Sequence, residues 1–220
     1  MTRNTTQVST RGLAMAGAIL TWLTVILQFY LILVNSATPA AETVIRFFSY
    51  FTILTNILVA CSFTKRVTHS ITRTGSFFSR PATLTAILVY ISFVATVYNL
   101  ILRFLWNPQG VQWLVDESLH TIIPFFYILF WLFFIPKSTL QWKNIPWWFI
   151  FPLLYLLIVL WRGSLSGFYP YPFIDVTRLG YQKVFQNSAL LVLAFTLFSI
   201  AYMALAKFMS KKPYFEDRMI

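Results

Sequence analysis

Residues 82–105 read ATLTAILVYISFVATVYNLILRFL. No charged side chain interrupts the stretch before Arg103, and its length matches the ~20 apolar residues that a helix needs to cross a bilayer. An unbroken apolar run of this kind reads as a membrane helix. In lipid every backbone N–H and C=O must find a partner within the protein, which a helix supplies from its own chain. The short alternating segments of a β-barrel are not the pattern here.

Five further runs share the character, at 13–34, 46–63, 119–135, 145–161 and 184–206. The composition agrees: of 220 residues 58% are hydrophobic and 10% charged, where a soluble domain carries about 25% charged residues. The chain therefore reads as an all-α, polytopic membrane protein, a single domain over 1–220 forming a six-transmembrane-helix bundle. The first run exceeds the ~7–15 apolar residues of a signal peptide and reads as a retained span. No internal repeat stands out, so the paired broken helices of many transporters are not visible.

A net charge of +11 could suggest nucleic acid, but the basic residues sit between the apolar runs, where membrane proteins carry them. No nucleic-acid partner is expected. Arg46, Arg103, Arg162, Arg178 and Lys183 fall on one side, and the remaining twelve of the 17 Lys and Arg fall on the other. The positive-inside rule puts both termini in the cytoplasm, in a multi-pass protein of a plasma membrane. The most basic loop, 64–80, reads as an anchor on anionic lipid headgroups. Cys61 stands alone and His69 and His120 lie far apart, so neither a metal site nor a cofactor is expected.

Polar groups at membrane depth are the natural candidates for function. Thr52 and Asn56 are four apart, hence on one helical face, and helix–helix packing would explain them as well as a site. Asn99 and Arg103 repeat that spacing at the outer end of the third span, where Arg103 could instead snorkel to headgroups. Lys183 and Asn187 do so at the start of the sixth. His120 opens LHTIIPFFYILFW, four residues before Pro124. Proline lacks an N–H and crowds the carbonyl four residues back, so a helix that starts near Thr121, or is kinked there, is expected. At such a start the dipole favours a neutral imidazole, the form a general base requires; a histidine bound to a headgroup is the alternative. The loop 161–182, rich in Gly, Pro and aromatics, reads as an ordered lid. Thr52, Arg103, His120, Tyr171 and Asp175 could then face one outward cavity.

SYFTILTN in the second span, LHTIIPF in the fourth and GFYPYPFID in the fifth loop resemble the androgen-induced and androgen-dependent TFPI-regulating proteins. Order and spacing relative to the spans are similar over most of the chain, as in a bacterial relative. The resemblance implies six membrane helices and hydrolysis of fatty acid esters of hydroxy fatty acids, with a threonine nucleophile and a histidine base. Carried onto this sequence these fall on Thr52 and His120, with Thr55 offering a second register. The membrane lipid or fatty acid ester is then the substrate, and Asn56, Arg103 or a backbone N–H near Pro124 would donate to the oxyanion. Tyr171, Asp175 and Asn187 are further candidates for binding it, and Asp175 for orienting His120. A non-catalytic lipid-binding or scaffold protein, or a small-molecule transporter, would fit the same bundle. Oligomeric state is not legible.

Overall fold

The computed structural model describes residues 2–68 and 77–210, with side chains from residue 10 onward. His69, Arg73, Lys211, Lys212 and Arg218, part of the basic side read above, lie outside the described residues. Every regular element among those described is helical: α1 (Thr2–Asn35), α2 (Ala40–Phe48), α3 (Phe51–Thr68), α4 (Pro81–Leu100), α5 (Gly110–Glu117), α6 (Ile123–Phe134), α7 (Ile145–Trp148), α8 (Ile150–Ser166) and α9 (Val176–Ser210). A π-helical turn, Ser118–Ile122, joins α5 to α6. Five helical runs are long and apolar enough to cross a membrane, and α2 with α3 makes a sixth if that bent pair is one span.

Helix α4 is the centre of the bundle. Of its most apolar window 61% is buried, against 22% for α9 and 11% for the run containing α7 and α8. Its own Leu88 and Ile91 are fully buried, and around it pack Trp131, Tyr127, Phe63 and Met203, all nearly inaccessible. Lipid tails are as apolar as leucine, so burial alone drives helix association weakly, and interhelical hydrogen bonds add specificity. Trp131 Nε1 donates to Thr85 Oγ1 (2.9 Å), Tyr90 donates to the Trp148 carbonyl (2.8 Å), and Ser92 pairs with Tyr202 (2.8 Å). The apolar side chains of α8 and α9 left outside, among them Leu157, Leu165 and Leu197, form a surface suited to hydrocarbon rather than water.

Four expected spans differ from the structure. The second is not one helix from 46: α2 meets α3 at 70°. There the Ser49 and Tyr50 amides close back on Arg46 and Phe47 in tight three-residue turns, and the freed Ser49 carbonyl accepts the Tyr155 hydroxyl (2.8 Å). The fourth starts at Gly110, not near Thr121. Its acidic residues do not end the helix because each has a partner: Asp116 accepts from Tyr98 and lies beside His120, and Glu117 pairs with Arg103 at 2.5 Å. The fifth continues to Ser166, where Gly167 ends it at φ +70°, a conformation most side chains resist. The sixth begins at Val176 and breaks at Gly180, whose φ of +73° lies outside the helical region.

The two ends of the bundle carry different chemistry. At one, Arg66 donates to the Phe134 carbonyl (2.9 Å), while Lys137 Nζ caps α6 through the carbonyls of Trp131 (2.6 Å) and Leu132 (2.7 Å). Burial pushes the Lys137 ammonium down to about 8. At the other, Glu42 bridges Arg46 and Arg162, each at 2.7 Å, and both guanidiniums lie against the Phe168 ring.

Candidate functional site

That second end opens into a cavity of about 800 Å³. Thr52, His120 and Tyr171 all line it, together with Asp116, Tyr98, Arg46 and Arg178. Three local features bring them there.

The first is the bend between α2 and α3. It places Thr52 in the first turn of α3, where a helix leaves its leading N–H groups without intrahelical partners. The Thr52 N–H donates instead to Tyr171 Oη (3.3 Å), and the Thr52 and Tyr171 hydroxyls lie 3.4 Å apart. Thr55 faces elsewhere. It is fully buried, its hydroxyl donates to the Phe51 carbonyl at 2.7 Å, and it does not line the cavity. Of the two threonines left open by the sequence, Thr52 is the one the cavity reaches.

The second is the π turn. Pro124 cannot donate to the His120 carbonyl and would crowd it in a regular helix. The chain widens by a residue over Ser118–Ile122, with the Ile123 N–H reaching back to Ser118. The His120 carbonyl is taken up by Asn99 Nδ2 at 3.3 Å. Single π turns of this kind are common at functional sites. His120 therefore sits deep inside a continuous helical run, and the argument from a dipole at a helix start does not apply to it.

Its ring is fixed on two sides. Tyr98 stacks on the imidazole with centroids 3.8 Å apart. Nδ1 lies 2.9 Å from the Asp116 carbonyl oxygen and 3.4 Å from the Asp116 carboxylate. Both neighbours are acceptors, so Nδ1 carries the hydrogen. With Nδ1 so engaged, Nε2 is the nitrogen available to a bound molecule, and in the neutral ring it bears the lone pair. The carboxylate itself accepts a hydrogen bond from the Tyr98 hydroxyl.

The third feature is the lid, shorter than the 161–182 expected: helix α8 takes the chain to Ser166 and α9 resumes at Val176. Gly163 admits it, since a Cβ there would stand 2.1 Å from the Tyr169 ring. Tyr171 is then wedged between Phe173, stacked at 5.2 Å, and Tyr50, edge-on at 5.9 Å. Burial pushes its phenol up to about 12, so across the physiological range it is a neutral donor.

The other candidates hold this frame rather than facing the cavity. Asn56 Nδ2 donates to the carbonyls of Thr52 (2.9 Å) and Leu119 (3.3 Å), tying α3 to the π turn. Both its hydrogens are spent, and flipping the amide would set Oδ1 against two carbonyls, so Asn56 is no oxyanion donor in this geometry. Arg103 pairs with Glu117 and donates to Asn99 (2.9 Å) and Thr121 (3.3 Å), outside the cavity. Asp175 does not reach His120. Its Oδ1 accepts the Thr177 N–H (3.0 Å), the Thr177 hydroxyl (2.5 Å) and the Arg178 N–H (3.2 Å), an N-cap for α9. Asn187 donates to the Phe173 carbonyl at 2.8 Å and so pins the lid.

Asp116 and Tyr98, which fix the imidazole, went unremarked in the sequence. The signal for Asp116 was its spacing of four from His120, legible only once the helix is known to begin before both. Among the described residues no cluster of metal-ligating side chains forms. No protein-family model matches the chain, and neither does any curated protein or solved structure.

Proposed function

We propose that the protein is an intramembrane hydrolase of lipid esters, with Thr52 as nucleophile and His120 as base. The observation that carries this reading is the convergence of a threonine hydroxyl and an imidazole of fixed tautomer on one cavity in a lipid-embedded bundle. A threonine hydroxyl is a weak nucleophile and needs a base. Thr52 Oγ1 attacks the ester carbonyl carbon as its proton passes to His120 Nε2. The tetrahedral oxyanion takes hydrogen bonds from the Tyr171 hydroxyl and the Thr52 N–H, which lie within 3.4 Å of each other. Collapse breaks the ester C–O bond, and the leaving alcohol takes the proton from Nε2. Water, deprotonated by the same nitrogen, then attacks the acyl-threonine, the acyl C–Oγ1 bond breaks, and Nε2 returns the proton to Thr52 Oγ1 as the fatty acid leaves. Asp116 favours the imidazolium formed at each step.

Both termini would face the cytoplasm, with the cavity opening to the other side. In support, the basic groups Arg66 and Lys137 gather at the end opposite the cavity. The test uses purified protein in nanodiscs, a fluorogenic long-chain ester and a fluorophosphonate probe. Turnover and an adduct on Thr52, both lost in Thr52→Ala and His120→Ala while the fold persists, are expected. Full turnover in either variant overturns the mechanism. Bound lipid without turnover would make the protein a lipid carrier.

A further inference from the structure

A second, narrower space of about 100 Å³ lies between α4, α8 and α9. It meets the large cavity at Thr52, Leu102 and Tyr171, which line both. Its walls are almost wholly apolar, with Phe93 from α4, Leu153 from α8, and Leu191, Val192 and Phe195 from α9. Its two ends differ. At the inner end Thr52 is 7% exposed, whereas Leu153 (43%) and Val192 (37%) at the outer rim stand on the apolar surface of the bundle.

We infer that this crevice is an acyl-chain subsite, entered sideways from the bilayer, that delivers one unbranched chain of an ester to Thr52. The inference rests on the hydrolase reading for its orientation. Three observations argue for a chain rather than a second protein copy. The crevice is too narrow for a helix, it is rimmed by the surface that faces hydrocarbon, and its inner end is the hydroxyl proposed to attack. A chain lying there puts the carbonyl carbon at the junction and leaves the alcohol portion in the larger, more polar cavity. Tyr171 divides the two compartments, so its ring separates the acyl side of the substrate from the alcohol side.

The experiment uses the full chain in phosphatidylcholine nanodiscs and a neutral palmitoyl ester carrying a terminal diazirine, with a diazirine phospholipid reporting ordinary lipid contact. After irradiation, peptide mass spectrometry should place the ester's adducts on the segments holding Leu153, Leu191 and Val192, displaced by unlabelled ester. Leu153→Trp and Val192→Trp, both at the lipid-facing rim, should each lower those adducts about ten-fold, as blocking a specificity pocket does. Leu157→Trp, on the exposed face of α8 outside the crevice, should not. Adducts spread over α8 and α9 in the phospholipid's pattern, adducts that survive both rim substitutions, or crosslinks between two chains through this face would each overturn the subsite. If crevice adducts form in protein that turns over no ester, the subsite stands and the hydrolase reading fails. If turnover persists while crevice adducts never form, the reverse holds.

Discussion

Replacing Asp116 by asparagine tests how the imidazole is held. The side chain keeps its shape and loses its charge, so two contributions separate. The tautomer is set mainly by the Asp116 backbone carbonyl, at 2.9 Å, which the substitution leaves in place. The carboxylate, at 3.4 Å, contributes by favouring the imidazolium that forms when His120 takes a proton. At that separation, with an effective dielectric of about 20, the Coulomb energy is about 5 kcal/mol as an upper bound. The Tyr98 hydroxyl already draws on the same charge, leaving about 2–4 kcal/mol. Asp116→Asn should therefore lower kcat about 30- to 1,000-fold with KM little changed. The assay is hydrolysis of a fluorogenic long-chain ester in nanodiscs, with thermal unfolding to show that the bundle persists. Activity within about three-fold of wild type would refute the role assigned to Asp116. So would a loss confined to KM.

Thr55→Ala should keep turnover within about three-fold while Thr52→Ala loses at least about 10³-fold; the opposite order would move the nucleophile one helical turn. Asp175→Ala should lower stability by about 1 kcal/mol, the usual worth of an N-cap, read as a drop in Tm with kcat retained; loss of turnover in protein of normal Tm would return Asp175 to the site. Lys137 gives a pH dependence. Its folded pKa of about 8 lies below the ordinary 10.5, so between those values the unfolded chain binds more protons and stability rises with pH. The Tm should climb from pH 7.5 to 10, and Lys137→Met should flatten that climb; equal slopes would show that another group titrates.

The bundle was legible because lipid imposes a length and a polarity that a sequence displays directly. Where chain direction changes, the signal was weaker. Residues 40–50 contain no glycine or proline beyond the loop, so the bend at Ser49 is set by partners that are distant in sequence, Tyr155 and Tyr171. Residues 110–118, with Asp116 and Glu117, precede the apolar run that starts at 119. The pairing of these two carboxylates depends on Tyr98 and Arg103, contacts visible only in three dimensions. The site divided along the same line. Thr52, His120 and Tyr171 stood out as polar or lid residues and do converge. Asn56, Arg103, Asp175 and Asn187 were singled out by the same polarity, and polarity alone does not separate a group that frames a cavity from one that faces it.

The π turn has an evolutionary and engineering consequence. It amounts to one residue inserted into a helix, and each residue advances a helix by about 100°. Deleting Thr121 or Ile122 together with Pro124→Ala, which removes the crowding that the π turn relieves, would allow an unbroken α-helix and rotate Asp116 and His120 together relative to α6. Such a shortened chain should still insert and pack, since the aromatic face of α6 keeps its own register. His120 would turn away from the cavity that it lines with Thr52. In this protein, then, a single inserted position decides which way the His120 imidazole faces relative to α6.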